Sequence, residues 1–216
     1  MLEKTNQSEL SAVLPQSQEN MTTLTDDLEQ AEESRRKNVV TRRLQAESVG
    51  GFRALDTFTV ERFDRVTDNN RSAFDAAVAF NAYKDNIYLR GPTGTGKSHL
   101  AAIAARKYID KYWEVKTVTQ MQVAREVRGC SDAKAESDLI ARYGSVKVLV
   151  IDDLGVAKDT EFSVALLYEI VHYRYMNKPG GLIVTSNLRL WEIAQKIGED
   201  RISSRLAGMC RVISLD

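Results

Sequence analysis

The sequence is poor in the residues that form disulfides and metal centres. It contains two cysteines, Cys130 and Cys210, and two histidines, His99 and His172. The cysteines are far apart and match no metal-binding or redox spacing, so we expect inert thiols in a reducing compartment. Because the histidines are isolated in sequence as well, a histidine-based metal centre is not expected.

Net charge and long apolar segments are also missing. The 30 basic residues are balanced by 30 acidic ones, so any contact with nucleic acid has to come from a local basic patch. No apolar run approaches the roughly 18 residues that a membrane-spanning helix requires. The N-terminus lacks the basic-then-apolar pattern of a secretion signal. We therefore expect a cytoplasmic protein that makes no membrane contact.

The chain is long enough for one globular domain and an additional segment. It has 216 residues, 43% of them hydrophobic, which suffices for a single α/β core. Residues 1–50 are polar and predict an N-terminal arm, disordered over residues 1–22 and helical from residue 24 to about residue 47. Acidic residues precede basic ones in that helix, as the helix dipole favours. The arm is either a solvated helix or a segment that binds a partner or nucleic acid, and Gly50-Gly51 predicts a hinge after it.

Residues 51–216 alternate short apolar runs with amphipathic patterns. Residues 52–66 mix aromatic and charged side chains and predict an irregular strap. Strands are predicted at residues 87–90, 115–118, 148–151, 182–186 and 211–215, and the main helices near residues 70–83, 99–107, 121–127, 133–143, 161–176 and 191–196. This alternation predicts an α/β fold with a doubly wound, parallel, five-stranded sheet.

The first predicted strand runs directly into a glycine-rich loop. Residues 91–98 read Gly-Pro-Thr-Gly-Thr-Gly-Lys-Ser and fit the pattern G-x-x-x-x-G-K-[ST]. The glycines lack a Cβ, so the backbone can adopt positive φ and close around a phosphate, with N–H groups and the next helix N-terminus facing it. We expect Lys97 to reach the β- and γ-phosphates and Ser98 to bind Mg²⁺. The loop predicts a nucleoside triphosphate site.

Polar side chains follow two further strands. Asp152 and Asp153 come directly after four apolar residues, where packing does not account for them, because an unpaired buried charge is costly. Ligands bind beyond the carboxyl ends of parallel strands, so we expect Asp152 to order Mg²⁺ and Asp153 to orient or deprotonate the attacking water. Asn187, two positions after Thr185, is a candidate sensor of the γ-phosphate, although these residues also suit a turn.

Two arginines share one face of a later predicted helix. Arg201 and Arg205 are four residues apart, which places them on the same side of a helix. If that helix lies at the sheet edge, neither residue easily reaches the site of its own chain. An arginine donated to the γ-phosphate of a neighbouring subunit would stabilise transition-state charge. The alternative is a basic pair on the surface.

In this order the motifs resemble those of the AAA+ ATPases and, within them, of the DnaC/IstB-like helicase loaders. The resemblance covers roughly residues 55–216. It is carried by Gly-Pro-Thr-Gly-Thr-Gly-Lys-Ser-His-Leu at 91–100, Val-Leu-Val-Ile-Asp-Asp-Leu-Gly-Val at 148–156, Ile-Val-Thr-Ser-Asn-Leu at 183–188 and Asp-Arg-Ile-Ser-Ser-Arg-Leu at 200–206. Very many nucleotide-hydrolysing proteins share the first segment, whereas its combination with the others is more specific.

The resemblance implies an AAA+ P-loop core that binds ATP and Mg²⁺ and hydrolyses ATP. It implies Walker B residues at Asp152 and Asp153, a sensor 1 residue at Asn187 and an arginine finger at Arg205, with Arg201 as the alternate. Ser98 and Asp152 are then the Mg²⁺ ligands. The implied nucleotide-binding residues are those of Walker A and the residue that follows: Gly91, Pro92, Thr93, Gly94, Thr95, Gly96, Lys97, Ser98 and His99.

The resemblance also implies partners. Loaders of this kind self-associate in the ATP state, bind single-stranded DNA and deliver a replicative hexameric helicase. A separate N-terminal segment grips the helicase, a task that falls here to residues 1–50. The helices predicted between residues 120 and 143 lie where loaders carry an inserted element that contacts single-stranded DNA. The basic residues of that region are Arg125, Arg128, Lys134 and Arg142.

The sequence departs from the AAA+ pattern in two places. Many AAA+ proteins have glutamate where this chain has Asp153, and the shorter side chain predicts slow hydrolysis. The chain ends at Asp216, shortly after the last predicted strand. No C-terminal helical lid or arginine-bearing sensor 2 tail is therefore evident, so looser closure over ATP is expected.

Three alternatives to a helicase loader are left open by the motifs. An IstB-like transposition ATPase shares them and binds duplex DNA, but typically lacks a polar head like residues 1–50. A nucleotide-dependent adaptor with little turnover is consistent with Asp153. A small-molecule kinase uses the same phosphate loop, but the strand that ends at Asn187 is not typical of one.

Overall fold

The computed structural model describes residues 29–36, 38, 58–63, 66–67, 70–109, 111, 113–155, 160–198 and 200–215. It divides into two units, Met1–Thr41 and Arg42–Asp216. In the first unit, residues 29–36 are helical and fall within the helix predicted from residue 24 to residue 47. The rest of that predicted helix and the Gly50-Gly51 hinge lie outside the described residues.

The second unit alternates helices and strands. In chain order its elements are α1 (Arg71–Ala79), β1 (Asn86–Arg90), α2 (Lys97–Ile109), β2 (Val115–Val118), α3 (Gln120–Arg128), α4 (Ala133–Ser145), β3 (Val148–Ile151), α5 (Glu161–Asn177), β4 (Gly181–Ser186), α6 (Leu190–Ile197), α7 (Asp200–Met209) and β5 (Arg211–Ser214). Residues 58–63 before α1 form neither helix nor strand, as predicted for the strap.

The strands form one five-stranded sheet in the order β2-β3-β4-β1-β5, and all neighbours are parallel. Leu89 of β1 pairs with Thr185 of β4, and Ile151 of β3 pairs with Val184. This register brings the carboxyl ends of β1, β3 and β4 to one edge of the sheet, where parallel α/β folds bind ligands. The predicted doubly wound parallel sheet is confirmed.

Helices cover both faces of the sheet because successive strand residues point to opposite sides. Ile87 and Leu89 of β1 pack with α1 and α2, whereas Tyr88 between them packs with the layer of α3 to α7. Burial on both faces explains why β3 and β4 are apolar without alternation. Their residues are buried throughout.

Local sequence signals account for several helix boundaries. Thr119 and Thr160 begin α3 and α5 with capping boxes, and Asp132 begins α4 by accepting from the Ala135 N–H. Such caps satisfy N–H groups that a helix start leaves without intrahelical acceptors. Gly198 ends α6 at φ 70°, a left-handed conformation that costs glycine little.

The structure corrects the predicted helix over residues 70–83, which ends at Ala79. The Tyr108 hydroxyl accepts from the Ala82 N–H at 2.7 Å and donates to the Phe80 carbonyl at 3.1 Å. The Asn81 N–H binds the Asp85 carboxylate at 2.7 Å. These bonds satisfy the backbone outside a helix, and the chain turns into β1.

Burial also differs from the predicted pattern in two helices. The amphipathic pattern of α2 predicted one buried face, but the structure buries nearly its whole length, because its run of alanines lets α1 and the sheet approach closely. In α5, the near-helical spacing of Phe162, Leu166, Ile170 and Tyr173 predicts a core stripe, but Tyr173 is 39% exposed. The buried stripe of α5 instead includes Leu167, Val171 and Arg174. Within the described residues, no helix has the length and apolar character needed to cross a membrane.

Candidate functional site

The glycine-rich loop connects β1 to α2 at the carboxyl edge of the sheet. Gly94 and Gly96 have φ values of 87° and 89°, which disfavour residues with a side chain. Gly91 is required for a different reason, because a Cβ there would lie 2.4 Å from the Leu215 carbonyl oxygen. The loop therefore needs glycine for its turns and for its close contact with the segment after β5.

Lys97 lies inside this loop. Its Nζ donates to the carbonyl oxygens of Gly91 and Pro92, both at 2.8 Å, and the residue is only 5% exposed. Burial lowers the pKa of Lys97, and the nearby carboxylates of Asp153 and Asp152 oppose that shift. Phosphate oxygens are stronger acceptors for an ammonium group than carbonyl oxygens, so Lys97 can exchange these contacts for a bound phosphate.

Asp152 directly follows β3 and contacts polar side chains that belong to the segment after β1 and to β4. Its Oδ1 accepts from the Ser98 hydroxyl at 2.9 Å and from the Thr185 hydroxyl at 2.5 Å. Burial raises the pKa of Asp152, the two hydrogen bonds lower it, and the charge of Asp153 raises it. Both bonds use the same oxygen, so the second carboxylate oxygen is available to another ligand.

Asp153 has an unusual backbone conformation. Its φ is 54°, which aspartate tolerates better than most residues with a side chain. The Thr185 hydroxyl accepts a hydrogen bond from the Asp153 backbone N–H at 2.9 Å. The Thr185 carbonyl accepts one from the Leu154 N–H, also at 2.9 Å. Thr185 thus holds the turn that directs the chain past Asp153, whose exposed side chain lines the cleft.

Asn187, the residue after β4, reaches the glycine-rich loop. Its Nδ2 donates to the Thr93 hydroxyl at 3.3 Å. Its Oδ1 is buried and finds no hydrogen-bond partner among the described residues. Because buried polar atoms are almost always paired, this atom fits a site that holds a further polar group. The structure therefore brings Asn187 to the same cleft as Asp153.

Lys97, Ser98, Asp153 and Asn187 line one cleft of about 460 Å³, together with an aromatic wall, and Asp152 is joined to it through its bond with Ser98. Phe58 and Phe63 form that wall on either side of His99, with ring-centroid distances of 4.9 Å and 5.0 Å to its imidazole. The His99 Nε2 lies 2.9 Å from the Thr59 carbonyl oxygen. A Cβ on Gly96 would lie 2.7 Å from the Phe63 ring. The aromatic strap is thus attached to the phosphate loop and supplies an apolar surface beside it.

The donor set of the cleft fits a magnesium ion. Mg²⁺ is held by one or two carboxylates and hydroxyls together with substrate phosphates rather than by a complete protein cage. Ser98 and Asp152 provide a hydroxyl and a carboxylate within 2.9 Å of each other, and the Asp153 carboxylate is in the same cleft. Ser98 and Asp152 are therefore the residues that would hold the ion.

The predicted arginine pair does not line this cleft. Arg201 and Arg205 are on α7, where both guanidinium groups lie 4.7 Å from the ring centroid of Tyr168 on α5. The prediction that they share one helix face is confirmed. The structure does not bring either arginine to Lys97 or Asp152.

The basic residues predicted to contact DNA are exposed on α3 and α4. Arg142 pairs with Glu114 at 3.2 Å, and the Arg128 guanidinium lies 5.0 Å from the Phe162 ring centroid. Arg125 and Lys134 are exposed on the same two helices, where Glu126 and Glu136 also lie. The charge of this surface is therefore mixed.

Sequence reasoning missed the roles of Thr185, Phe58 and Phe63. Thr185 was noted only for its spacing to Asn187, although a threonine inside an apolar strand that is buried on both faces already signals a hydroxyl with a specific partner. Phe58 and Phe63 were assigned to a docking strap, and no local pattern predicts that an irregular segment packs beside a loop more than thirty residues later.

Comparison with known proteins agrees with the family resemblance that these motifs predict. A family model described as "IstB-like ATP binding protein" matches residues 4–215. The chain is 28% identical over 136 residues to the replicative helicase loader DnaC of Escherichia coli (strain K12), covering 62% of this chain and 52% of that protein. It is 25% identical over 154 residues to a Geobacillus stearothermophilus protein described as ATP-binding and encoded by insertion sequence IS5376, covering 71% and 60%. The chain thus spans little more than half the length of these relatives.

The fold comparison agrees. A crystal structure of the DnaC helicase loader superposes with a TM-score of 0.65 at 19% identity, covering 76% of this chain and 100% of that chain. At this identity the likeness establishes the fold, which is the AAA+ core inferred from the four motifs. Because the family model extends over nearly the whole sequence, the chain belongs to the family of IstB-like ATP-binding proteins.

Proposed function

We propose that the protein is an ATP- and Mg²⁺-dependent ATPase that assembles on single-stranded DNA and delivers a replicative helicase. The observation that carries the ATPase part is the 2.9 Å bond between Ser98 and Asp152. It joins the end of the glycine-rich loop to the end of β3, and Ser98 lines the same cleft as Asp153 and Asn187. A structural role for this polar cluster is disfavoured, because burying Asp152 raises its pKa and so costs stability.

Each residue then has a defined task in hydrolysis. The backbone N–H groups of residues 91–98 bind the phosphates, and Lys97 neutralises charge at the β- and γ-phosphates. Mg²⁺ held by Ser98 and Asp152 would neutralise the charge that develops on the transferred phosphoryl group. Asp153 orients the attacking water and accepts its proton, and Asn187 binds the γ-phosphate or the water.

The aromatic wall is the proposed binding surface for the adenine base of ATP. Phe58 offers a partly exposed ring beside His99, against which a purine can pack, and the buried Phe63 ring supports His99 edge to face. Aromatic stacking of a nucleic-acid base contributes about 1–3 kcal/mol. The strap before α1 would therefore bind the adenine, and the glycine-rich loop the triphosphate.

Two variants test the ATPase activity. Asp153→Asn keeps the size of the side chain and the tolerance for φ 54°, so it is expected to retain ATP binding while hydrolysis falls by about 10²- to 10⁴-fold. Lys97→Ala is expected to weaken binding itself. Binding is measured with a fluorescent ATP analogue and turnover by phosphate release. A wild-type rate no higher than that of Lys97→Ala would favour the adaptor alternative.

A second candidate is a transposition ATPase that acts on duplex DNA. The description of the family model and the insertion-sequence relative favour it, whereas the DnaC relative favours the loader. Affinity capture with ATP, using purified replicative helicase in one arm and a transposase of the insertion-sequence type in the other, separates the two. Deletion of residues 1–50 is expected to abolish capture while nucleotide binding is retained. Capture of the transposase alone would contradict the loader function.

A further inference from the structure

An aromatic and cationic cluster lies where α5 packs against α7, away from the cleft. The Tyr168 and His172 rings are stacked with centroids 5.6 Å apart and an angle of 3° between their planes. The guanidinium of Arg205 lies 4.7 Å from the Tyr168 centroid and 6.0 Å from that of Tyr175. Arg201 also lies 4.7 Å from the Tyr168 centroid. Two cations therefore share the ring of Tyr168.

Hydrogen bonds fix Arg205 in this cluster. Its Nε donates to His172 Nδ1 at 3.2 Å, its Nη2 to the Tyr168 hydroxyl at 3.1 Å and its Nη1 to the Arg201 carbonyl at 3.1 Å. A guanidinium has five N–H donors and no acceptor, so His172 accepts at Nδ1 without a proton on that atom. Among the residues that the structure describes, the two other N–H groups of Arg205 find no acceptor.

This arrangement organises the side chain before any partner binds. Fixing a free arginine in one geometry costs rotamer entropy. Tyr168 and His172 impose that cost within the monomer, and fixing a side chain in advance strengthens the later contact. Two N–H groups therefore remain, one on each terminal nitrogen, and arginine commonly binds phosphate through two N–H groups.

We propose that Tyr168 and His172 are positioning residues for Arg205 and hold its guanidinium for the γ-phosphate of ATP bound to a second copy of this chain. This rests on the proposed ATPase function, together with the ATP-dependent self-association and the arginine finger at Arg205 that the resemblance implies. Arg205 does not line the cleft of its own chain. Its side chain is only partly buried, and α7 thus presents it to a neighbour.

Conservative variants measure separately what the Tyr168 hydroxyl and His172 Nδ1 contribute to positioning Arg205. Tyr168→Phe keeps the ring and removes the hydroxyl, and His172→Leu removes the Nδ1 acceptor. Displacing a catalytic group by about 1 Å can cost about 10²-fold, so each is expected to lower kcat by about 10- to 100-fold while ATP affinity stays within about twofold. His172→Asn places an oxygen near the position of Nδ1 and is expected to restore most of kcat. Tyr173→Phe, at an exposed position of the same helix, is the matched control and keeps the wild-type rate.

Mixing of subunits provides a readout that a merely structural role would not change. His172→Leu has an intact nucleotide site and a displaced arginine, whereas Asp153→Asn has a well-placed arginine and an inactive site. An equal mixture of the two is expected to hydrolyse ATP faster than either alone, because Asp153→Asn donates its Arg205 to the His172→Leu site. A mixture of His172→Leu with Arg205→Ala lacks a well-placed arginine and is expected to stay slow.

The outcomes distinguish this proposal from the proposed function. If Arg205→Ala, expected to lose about 10³-fold in kcat, keeps the wild-type rate, the role of Arg205 across the interface is wrong. If Arg205→Ala is inactive while Tyr168→Phe and His172→Leu keep the wild-type rate, the positioning role alone is wrong. Failure of the Asp153→Asn mixture to restore hydrolysis also overturns the positioning role.

Discussion

Thr185 connects the two carboxylates of the cleft at the level of single atoms. Its hydroxyl donates to Asp152 at 2.5 Å and accepts from the Asp153 N–H at 2.9 Å, and the residue is fully buried. One side chain thus orients the proposed metal ligand and the backbone of the proposed base. Sequence spacing alone does not assign this task, because it arises from the pairing of β3 with β4.

Thr185→Val is expected to lower the free energy of unfolding by about 1–3 kcal/mol, since it leaves paired polar groups without their partner. The matched control is Thr117→Val in β2. Thr117 is 1% exposed, and its hydroxyl has no partner among the described residues, so its removal is expected to leave stability unchanged or raised. Urea unfolding of both variants measures the difference. Equal effects at the two positions would contradict the role of Thr185.

Asp152→Asn is expected to stabilise the nucleotide-free protein at neutral pH. Both hydrogen bonds to Asp152 reach Oδ1, so asparagine keeps them and removes the buried charge. Because burial raises the pKa of Asp152, the native state holds the proton more tightly than the unfolded chain. The contribution of Asp152 to stability is therefore greatest in acid and is lost as the pH rises through the native-state pKa.

Unfolding in urea at pH 4 and pH 7.5 tests this sign. The stability gain of Asp152→Asn over the wild type is expected to be larger at pH 7.5 than at pH 4. The same variant is expected to lower Mg²⁺-dependent hydrolysis by about 10²- to 10³-fold, the usual loss when a group that stabilises transition-state charge is removed. A variant that is less stable than the wild type at pH 7.5 would show that the charge of Asp152 is compensated in the native state.

At the scale of elements, α5 connects the site to the rest of the sheet. It begins nine residues after Asp152 and carries Tyr168 and His172 on the side of α7. Its Arg174 is 3% exposed and donates to the carbonyls of Gly144, Val146 and Gly181 at 2.8–3.0 Å. Burial lowers the pKa of Arg174 to about 10, so it is charged at neutral pH. This arginine joins the end of α4 to the start of β4.

Arg174→Met is expected to destabilise the protein by on the order of 3 kcal/mol or more, because methionine fills similar space but leaves three buried carbonyls unsatisfied. Arg211→Met is the control, since Arg211 is exposed on β5 and exposed substitutions usually change stability by less than about 0.5 kcal/mol. The midpoint and slope of urea unfolding give both values. A loss below about 1 kcal/mol for Arg174→Met would contradict the role of these bonds.

At the scale of the whole molecule, the proposed nucleotide cleft joins segments that are distant in sequence. The cleft combines the strap near Phe63, the glycine-rich loop and the end of β4 near Asn187. A ligand that contacts all three resists unfolding of the domain as a unit. The effect of the ligand on the unfolding of the domain can be measured without DNA or a helicase.

ATP with Mg²⁺ at about 100 times its Kd is expected to add about 2.7 kcal/mol to the free energy of unfolding. For a chain of this size that raises the melting temperature by about 5–10 °C. Differential scanning fluorimetry is the measurement. The shift is expected to disappear in Lys97→Ala and to persist in Arg205→Ala, because Arg205 does not line the cleft. Loss of the shift in monomeric Arg205→Ala would place that residue in its own nucleotide site.

The local sequence pattern was sufficient to predict the glycine-rich loop and the polar residues at the strand ends. Residues 91–98, Asp152 and Asn187 were predicted to lie together, because glycine spacing, strand burial and the geometry of parallel sheets all act over short stretches of chain. The local pattern also predicted that α1 continues to residue 83, whereas the helix ends at Ala79. The Tyr108 hydroxyl, which ends that helix by binding Phe80 and Ala82, comes from another helix.

The sequence by itself determined the proposed nucleotide site, the parallel sheet and the shared face of Arg201 and Arg205. The tertiary structure decided which side chains support them: Thr185 beneath the carboxylates, Phe58 and Phe63 beside the phosphate loop, and Tyr168 and His172 around Arg205. Periodicity and motif spacing record only neighbours along one strand or helix. Each supporting residue is instead brought to its partner by the packing of elements 30 or more residues apart, which no local pattern encodes.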